Sequence, residues 1–555
     1  FLLFGQIIFL KLFTKMLLSL FLSLSSCSIY ALDVGSENLR LAVSNPGKPI
    51  DIVSNERGQR FTPNYLAYPI HNASEDLAKE QWIVGSEAER IFYRNRTHAV
   101  ENPFALLWTP NNTDFAGLSR IVSVATLLYY NLRHLETRLD KVTLTVPLYT
   151  SPHVRYSLHQ SMKLLGFRSV NILDSCTAVA SLYAVERLRK GQKKSGTTIL
   201  FIDIGSENMD CSLFKFKSGN KQNTHVELLQ YRHSNRVGGR FVDQQLIQYV
   251  SKEIGKEFVG SEVFTVRNIV RKAKERLALN KDIGVDLTED YGKYITLTQE
   301  TMQELTQNMT SIIRELLTGI DKPDEIELIG GSSRLKVFLD VIQEVLPDVP
   351  MRRSLNSDEA IAVGAANYQS LKSGSNIGKT IDLKKPTVLG LNVTIENKNQ
   401  VVFEPGDIVT STVIKMPADS SRIISTYLDT EIYDEYIIDS KEFNTISNNY
   451  TQILIENVDN ALNSLADDLV NGTTPEIALN FGTSPDLDCP DLISASLLAN
   501  ITTSNRRLWK KGHGNTTITE RKLFAIPSLL DKEFHVPKNA RAFIKKLVKE
   551  DEDRR

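Results

Sequence analysis

Two short stretches of this chain carry the residue types that hold phosphate and a divalent cation. Residues 31–43 read ALDVGSENLRLAV and residues 201–214 read FIDIGSENMDCSLF. Asp33-Val34-Gly35-Ser36-Glu37-Asn38 answers to Asp203-Ile204-Gly205-Ser206-Glu207-Asn208, 170 residues further on. Each is an apolar run ending in Asp, then a Gly turn, then a returning run, the pattern of a β-hairpin. Glycine lets the turn bring backbone N–H groups close to an anion. A carboxylate at the strand end can hold hydrated Mg²⁺. One copy alone would be an ordinary turn; two, a domain-length apart, point to a clamp gripping a polyphosphate from both sides.

Further glycine elements fit the same chemistry. DEIELIGGSSR (324–334) is a strand running into Gly330-Gly331-Ser332-Ser333-Arg334 ahead of a helical pattern, where the backbone can approach an anion or an adenosine. Val237-Gly238-Gly239-Arg240 precedes the helical run FVDQQLIQYVSKEI. Ser151-Pro152 should open a helix that Gly166 closes. His153 and His159 on it read as surface or packing residues, not ligands.

These elements must sit on a large soluble frame. The 555 residues suggest several domains; 41% are hydrophobic and 24% charged, so neither wholesale disorder nor a polytopic membrane protein fits. With 65 Lys+Arg against 66 Asp+Glu, field-driven nucleic-acid binding is not expected. Cys27, Cys176, Cys211 and Cys489 are too few and scattered for a disulfide framework or zinc site. Lys11 and Lys15 precede the apolar run from Met16, with small residues Ser25 to Ser28 after it, the order of a secretory signal over residues 1–31; a membrane anchor is the plainer alternative, but the run is short for one. No membrane span is then expected in the mature chain. Secretory entry gives meaning to the N-x-S/T triplets at Asn72, Asn95, Asn111, Asn308, Asn392, Asn449, Asn471, Asn500 and Asn515.

Taken together, ALDVGSEN, VTLTVPLYTSPHVRYSLHQSMKLLGF, FIDIGSENMD, RVGGRFVDQQL, RKAKERLALN, ELIGGSSR and NSDEAIAVGAA resemble the heat-shock protein 70 family over about residues 30–370. The resemblance implies an α/β actin-like duplicated ATPase domain (32–370), a linker (371–386), an all-β sandwich for peptide binding (387–527) and the start of a helical lid (528–555). It implies ATP/ADP and Mg as cofactors. Asp33 and Asp203 match the acids around the Mg²⁺ shell, through water. Gly35, Ser36, Gly205 and Ser206 match the phosphate loops, and Gly238 and Gly239 the Gly-Gly near the phosphates. Lys274, Gly330, Gly331, Ser332, Arg334 and Asp358 match the nucleoside side. The signal, the triplets and the degenerate motifs resemble the large luminal branch, the glucose-regulated protein 170 group with the fungal Lhs-type chaperone. That branch implies the endoplasmic-reticulum lumen, nucleotide exchange on a luminal heat-shock 70 chaperone, and holding of unfolded polypeptides. A working ATP-driven foldase of the same family is the alternative; an actin-fold sugar kinase would not usually carry a β-sandwich and lid.

The departures from the family pattern are chemically one-sided. Glu89 stands where the family has a phosphate-contacting lysine, Ser175 where it has a glutamate that sets up the attacking water, and Glu37 and Asn208 where it has threonines; Glu207 replaces a glycine. Like charges at 4 Å cost about 1 kcal/mol in water and about 4 kcal/mol at an effective dielectric near 20. Phosphoryl transfer needs cations at the developing charge. The expectation is ATP binding with slow or absent turnover, and a rise in turnover on Glu89→Lys.

Apolar alternation predicts strands at TVLGLNVTI, QVVFEPGDIV, RIISTYLDTEIYD, TQILIENV, PEIALNFG and LISASLL, and a helix over 538–552 with Ala540, Phe543, Ile544, Leu547 and Val548 on one stripe. In the linker only Ile381 and Leu383 resemble the family's leucine run, which puts coupling between the domains in question.

Overall fold

The structure is a computed structural model. It describes residues 28–554 apart from 69–76, 109–114, 136–140, 189–195, 219–222, 374–379, 440–475, 503–516, 525–538 and some shorter gaps. Residues 1–27 of the signal segment, with Cys27, the strand TQILIENV, the middle of the linker and the triplets at Asn72, Asn111, Asn449, Asn471 and Asn515 lie outside the described residues; the segment's last residues, 29–31, instead open the buried first strand, Ile29–Val34, so its predicted bound at 31 runs too far. The chain divides into two compact units: residues 1–148, 158–384 and 537–555, and residues 149–157 with 385–536.

The first unit is built on two sheets of matching topology. In the first, β1 (Ile29–Val34) pairs antiparallel with β2 (Asn38–Ser44), which pairs with β3 (Asp51–Val53). On its other edge β1 lies parallel to β4 (Lys141–Val146), and β4 to β5 (Ser169–Asp174). The second sheet repeats the order: β6 (Thr197–Ile204) pairs antiparallel with β7 (Met209–Ser218), which pairs with β8 (Asn223–Ser234), while β6 lies parallel to β9 (Glu325–Ile329) and β9 to β10 (Met351–Arg352). The registers correspond: Asp33 faces Arg40 and Thr145, and Asp203 faces Asp210 and Ile329. The repeat seen in residues 31–43 and 201–214 is therefore a repeat of architecture.

Helices cover the sheets. α1 (Ser86–Arg94), α2 (Arg120–Leu132) and α3 (Ser175–Tyr183) belong to the first half; α4 (Gly239–Ile254), α5 (Ser261–Leu277) and α6 (Lys336–Val345) to the second. The core of the second half joins Leu200, Ile202 and Ile204 of β6 to Val242 and Leu246 of α4 and Val266 and Val270 of α5. α7 (Ala360–Lys372) returns to the first half, where Ala362, Ala365 and Ala366 pack with Ala31, Ala42 and Ala178. Small side chains permit this close crossing. A Cβ on Gly364 would stand 2.2 Å from the Ala178 carbonyl oxygen. Overpacking costs about 1–3 kcal/mol, against the roughly 1 kcal/mol that alanine gains over glycine in a helix. Gly364→Ala is thus expected to lower the melting temperature; an unchanged or higher value would refute that packing.

Three expectations need correction. The segment 371–386, read as a linker, holds regular structure at both ends of its undescribed middle: α7 extends to Lys372, and Thr380–Lys384 forms β11, parallel to β8 at the edge of the second sheet. Backbone pairing holds it there, with Asp382 against His225 at 2.9 Å, so the low leucine content does not prevent docking. RIISTYLDTEIYD falls in two strands, Arg422–Asp429 and Glu431–Asp439, paired antiparallel. The last helix, α8 (Ala540–Arg554), forms, but it belongs to the first unit. Asp551 pairs there with Arg133 at 2.5 Å and accepts from the Tyr129 hydroxyl at 3.1 Å.

The second unit contains two four-stranded antiparallel sheets. One orders Lys398–Phe403, Gly390–Ile395, Arg422–Asp429 and Glu431–Asp439; the other Thr412–Pro417, Glu476–Ser484, Cys489–Thr502 and Thr517–Phe524. Ser151 Oγ accepts from the Val154 N–H at 3.4 Å at the start of the predicted helix, which spans Pro152–Leu164.

Candidate nucleotide site

The two Gly-Ser-Glu-Asn turns meet. Ser36 Oγ lies 2.6 Å from Ser206 Oγ, so the hairpins converge on one cleft. Behind them Asp33 is buried and Asp203 half-buried, and Asp33 stands close enough to act on the charge of Asp203. Burial pushes the Asp203 carboxyl up to about 8, with Asp210 and Asp33 adding repulsion. Burial also raises Asp33, opposed by Arg40 and by a hydrogen bond from Thr145 at 3.0 Å. Asp210 rises to about 6 by burial, held back by donors from Tyr231 and Asn208.

Glycine packing makes the cleft possible. The Gly205 N–H closes its turn on the Asn208 carbonyl at 2.9 Å. The N–H groups of Gly239 and Arg240, opening α4, donate to the carbonyls of Gly205 and Ser206 at 3.0 and 2.9 Å. A Cβ on Gly238 would lie 2.3 Å from the Ser206 carbonyl oxygen. Gly330 has φ +78°, where an L side chain is strained, and its Cβ would strike both the Ile204 carbonyl and an Asp203 carboxylate oxygen. Gly331, Ser332 and Arg334 follow in one turn; Arg334 pairs with Asp358 at 2.6 Å, and Ser332 approaches Gly239. Lys274 is spent inside the site, 2.6 Å from Asp243 and donating to the Gly239 carbonyl at 3.1 Å. Ser175 is the first residue of α3, after Asp174. Gly35 accepts from Asn64 at 3.0 Å through its carbonyl.

The carboxylates that looked repulsive in the sequence are neutralised by arginines. Glu37 pairs with Arg240 at 3.0 Å, Arg267 at 2.8 Å and Arg271 at 2.9 Å. Glu89 pairs with Arg267 at 2.8 Å. Glu207 and Glu101 both reach Arg240. Burial alone would raise Glu37, but the three guanidinium groups pull it down to about 2. Glu89 is raised by burial and by Glu37, against the pull of Arg267. The expected effect of Glu89→Lys alone is revised accordingly: its ammonium would face Arg267 rather than a phosphate. Sequence reading missed Arg240, Arg267 and Arg271. A signal was present, since Arg267, Arg271 and Lys274 stand at i, i+4 and i+7 on one face of α5.

These residues fit a cation and not, in this arrangement, a terminal phosphate. Two neighbouring carboxylates withdrawn from water are a hard-oxygen donor pair suited to hydrated Mg²⁺. Among the described residues no group of three or more His, Cys, Asp or Glu is placed to bind a metal directly, so the ion would keep most of its water. Around the touching serines, by contrast, stand Glu37 and Glu207, and the nearby cations already answer carboxylates.

Doubled hairpin-and-crossover sheets around a shared acidic cleft define the actin-like nucleotide-domain class. Within it, the chain belongs to the Hsp70 family: the model of the Hsp70 protein family matches residues 130–434, more than half of the chain. Similar proteins include the chaperone protein DnaK of Thermotoga neapolitana, 23% identical over 435 residues that cover 72% of this chain and 68% of that one. DnaK of Mycoplasmoides gallisepticum is 22% identical over 439 residues, covering 73% and 68%. DnaK of Thermosipho africanus is 24% identical over 430 residues, covering 72% and 67%.

Proposed function

We propose that this chain is a chaperone of the endoplasmic-reticulum lumen that holds unfolded polypeptides and acts as a nucleotide-exchange factor for a luminal heat-shock 70 partner. Mg-ATP or Mg-ADP is its conformational ligand, with Asp33 and Asp203 beside the ion, and is seldom hydrolysed. The observation that carries this reading is the saturation of the cleft's cations. Phosphoryl transfer gains from cations free to stabilise developing negative charge. Arg240, Arg267, Arg271 and Lys274 each instead face a carboxylate of the protein. Ser175 has no carboxylate with which to orient water. The naming of the relatives as chaperones supports the binding role.

The luminal setting is supported by the basic–apolar–small order of the first 31 residues and by the triplets. Asn308 is exposed at the start of the helix Gln307–Leu317, and Asn95 is half-buried at the end of α1. Among the described residues no helix is long and apolar enough to cross a membrane.

Two assays test the reading. Added to the luminal partner loaded with labelled ADP, the protein should speed ADP release; no acceleration would sink the exchange role. In a single-turnover assay it should leave ATP almost uncleaved. The pairing of β11 with β8 favours the second reading, an ATP-driven foldase, because it fixes the residues ahead of the second unit to the nucleotide domain's sheet. Turnover at the rate of an ordinary family member would establish that reading instead.

A further inference from the structure

We infer that the arginine–glutamate network is a latch that holds the two halves of the nucleotide domain closed without nucleotide, and that entering phosphates must displace it. This deepens the reading of nucleotide as a ligand and rests on it only for where the phosphates would lie.

Apart from Glu207–Arg240, which lies within the second half, the network's contacts run across the cleft. Glu37, Glu89 and Glu101 belong to the first half, and Arg240, Arg267 and Arg271 to the second. Arg240 also donates to the Ser36 carbonyl at 3.4 Å, Arg267 to the Tyr65 hydroxyl at 3.3 Å, and Asn102 to Glu207 at 3.3 Å. The Ser36–Ser206 contact completes the closure. An anion normally draws such halves together by giving both sides a common partner. Here the fixed glutamates of one half do so for the arginines of the other. Arg271 apart, the side chains of Glu37, Glu89, Arg240 and Arg267 are largely withdrawn from water, so ordinary salt screens them little.

Hydrogen exchange on the full chain tests this without measuring turnover. The reporters are the amides of Asn64 on the first half and of Gly239 and Arg240 on the second, which donate to Glu37, Gly205 and Ser206. In the wild type they should be protected without nucleotide, and millimolar Mg-ATP should change their rates by less than about twofold. With Glu37→Gln and Glu89→Gln together, nucleotide-free exchange should rise at least about tenfold and Mg-ATP should restore protection. The inference is overturned if Mg-ATP slows wild-type exchange about tenfold, or if the folded double variant exchanges like the wild type. Should that variant not fold, the wild-type comparison decides alone. The exchange assay with the luminal partner can fail while this result stands, and the reverse.

Discussion

Arg267→Met is expected to destabilise the nucleotide domain by about 3 kcal/mol or more, the cost of breaking a buried ion pair by removing one partner. The Arg267 side chain is 5% exposed and serves two carboxylates, Glu37 at 2.8 Å and Glu89 at 2.8 Å. Methionine keeps much of the volume but removes the guanidinium that pairs directly with Glu89. Arg271→Met is the control. It also removes a pair with Glu37, but its side chain is 35% exposed and Glu37 keeps Arg240 and Arg267. A water-screened pair of that kind is worth about 1 kcal/mol or less. In a thermal melt, at roughly 2 °C per kcal/mol for a unit of this size, Arg267→Met should fall by about 6 °C and Arg271→Met by about 2 °C or less. Equal shifts would mean that burial does not govern the network. The contrast also separates stability from nucleotide effects, since it needs no ligand.

The hairpin repeat was legible because it is written locally. Asp, Gly and the flanking apolar alternation are contiguous, and the strands they predict pair in the same register in both halves. The position of Glu89 was legible too, but its meaning was not. Its partner Arg267 lies 178 residues away, and Glu37's partners lie 203 to 234 residues away. Charge pairing at that range depends on how helices cross, which hydrophobic periodicity does not encode. Counting carboxylates near a phosphate loop therefore overstated repulsion. The docking of β11 was not legible for a different reason: apolar content was weighed in the linker, whereas β11 is held by a backbone ladder that any residue except proline can join. Between the strands Arg422–Asp429 and Glu431–Asp439 the sequence carries no Gly, Pro or Asn to announce a turn, so two strands read as one.

The buried acids make a second large effect, set by pH and metal together. In metal-free buffer the protein is expected to lose stability as pH rises from about 5 to about 8.5, the reverse of the usual carboxylate behaviour. The sign follows from Asp203. Unfolded, it titrates near 3.9; folded, burial and its acidic neighbours hold it at about 8. Between those values the native state carries a proton that the unfolded state has released, so raising pH favours unfolding. Asp210, at about 6, acts in the same direction over a narrower window. Glu37 opposes this only in acid, because its pKa of about 2 gives stability that is fully present above the ordinary carboxylate range and is lost as pH falls from that range towards 2. The loss for Asp203 is of the order of a few kcal/mol, since each unit is worth 1.36 kcal/mol and relaxation reduces the full difference. Mg²⁺ should oppose the loss by placing positive charge beside Asp33 and Asp203. Melts with EDTA and with Mg²⁺, on wild type and Asp203→Asn, check the argument. The asparagine variant should show a flatter pH profile and a weaker response to Mg²⁺, with a higher melting temperature than the wild type in EDTA at alkaline pH. Identical pH slopes in the two proteins would remove Asp203 as the cause and, with it, the case for a cation between the twin hairpins.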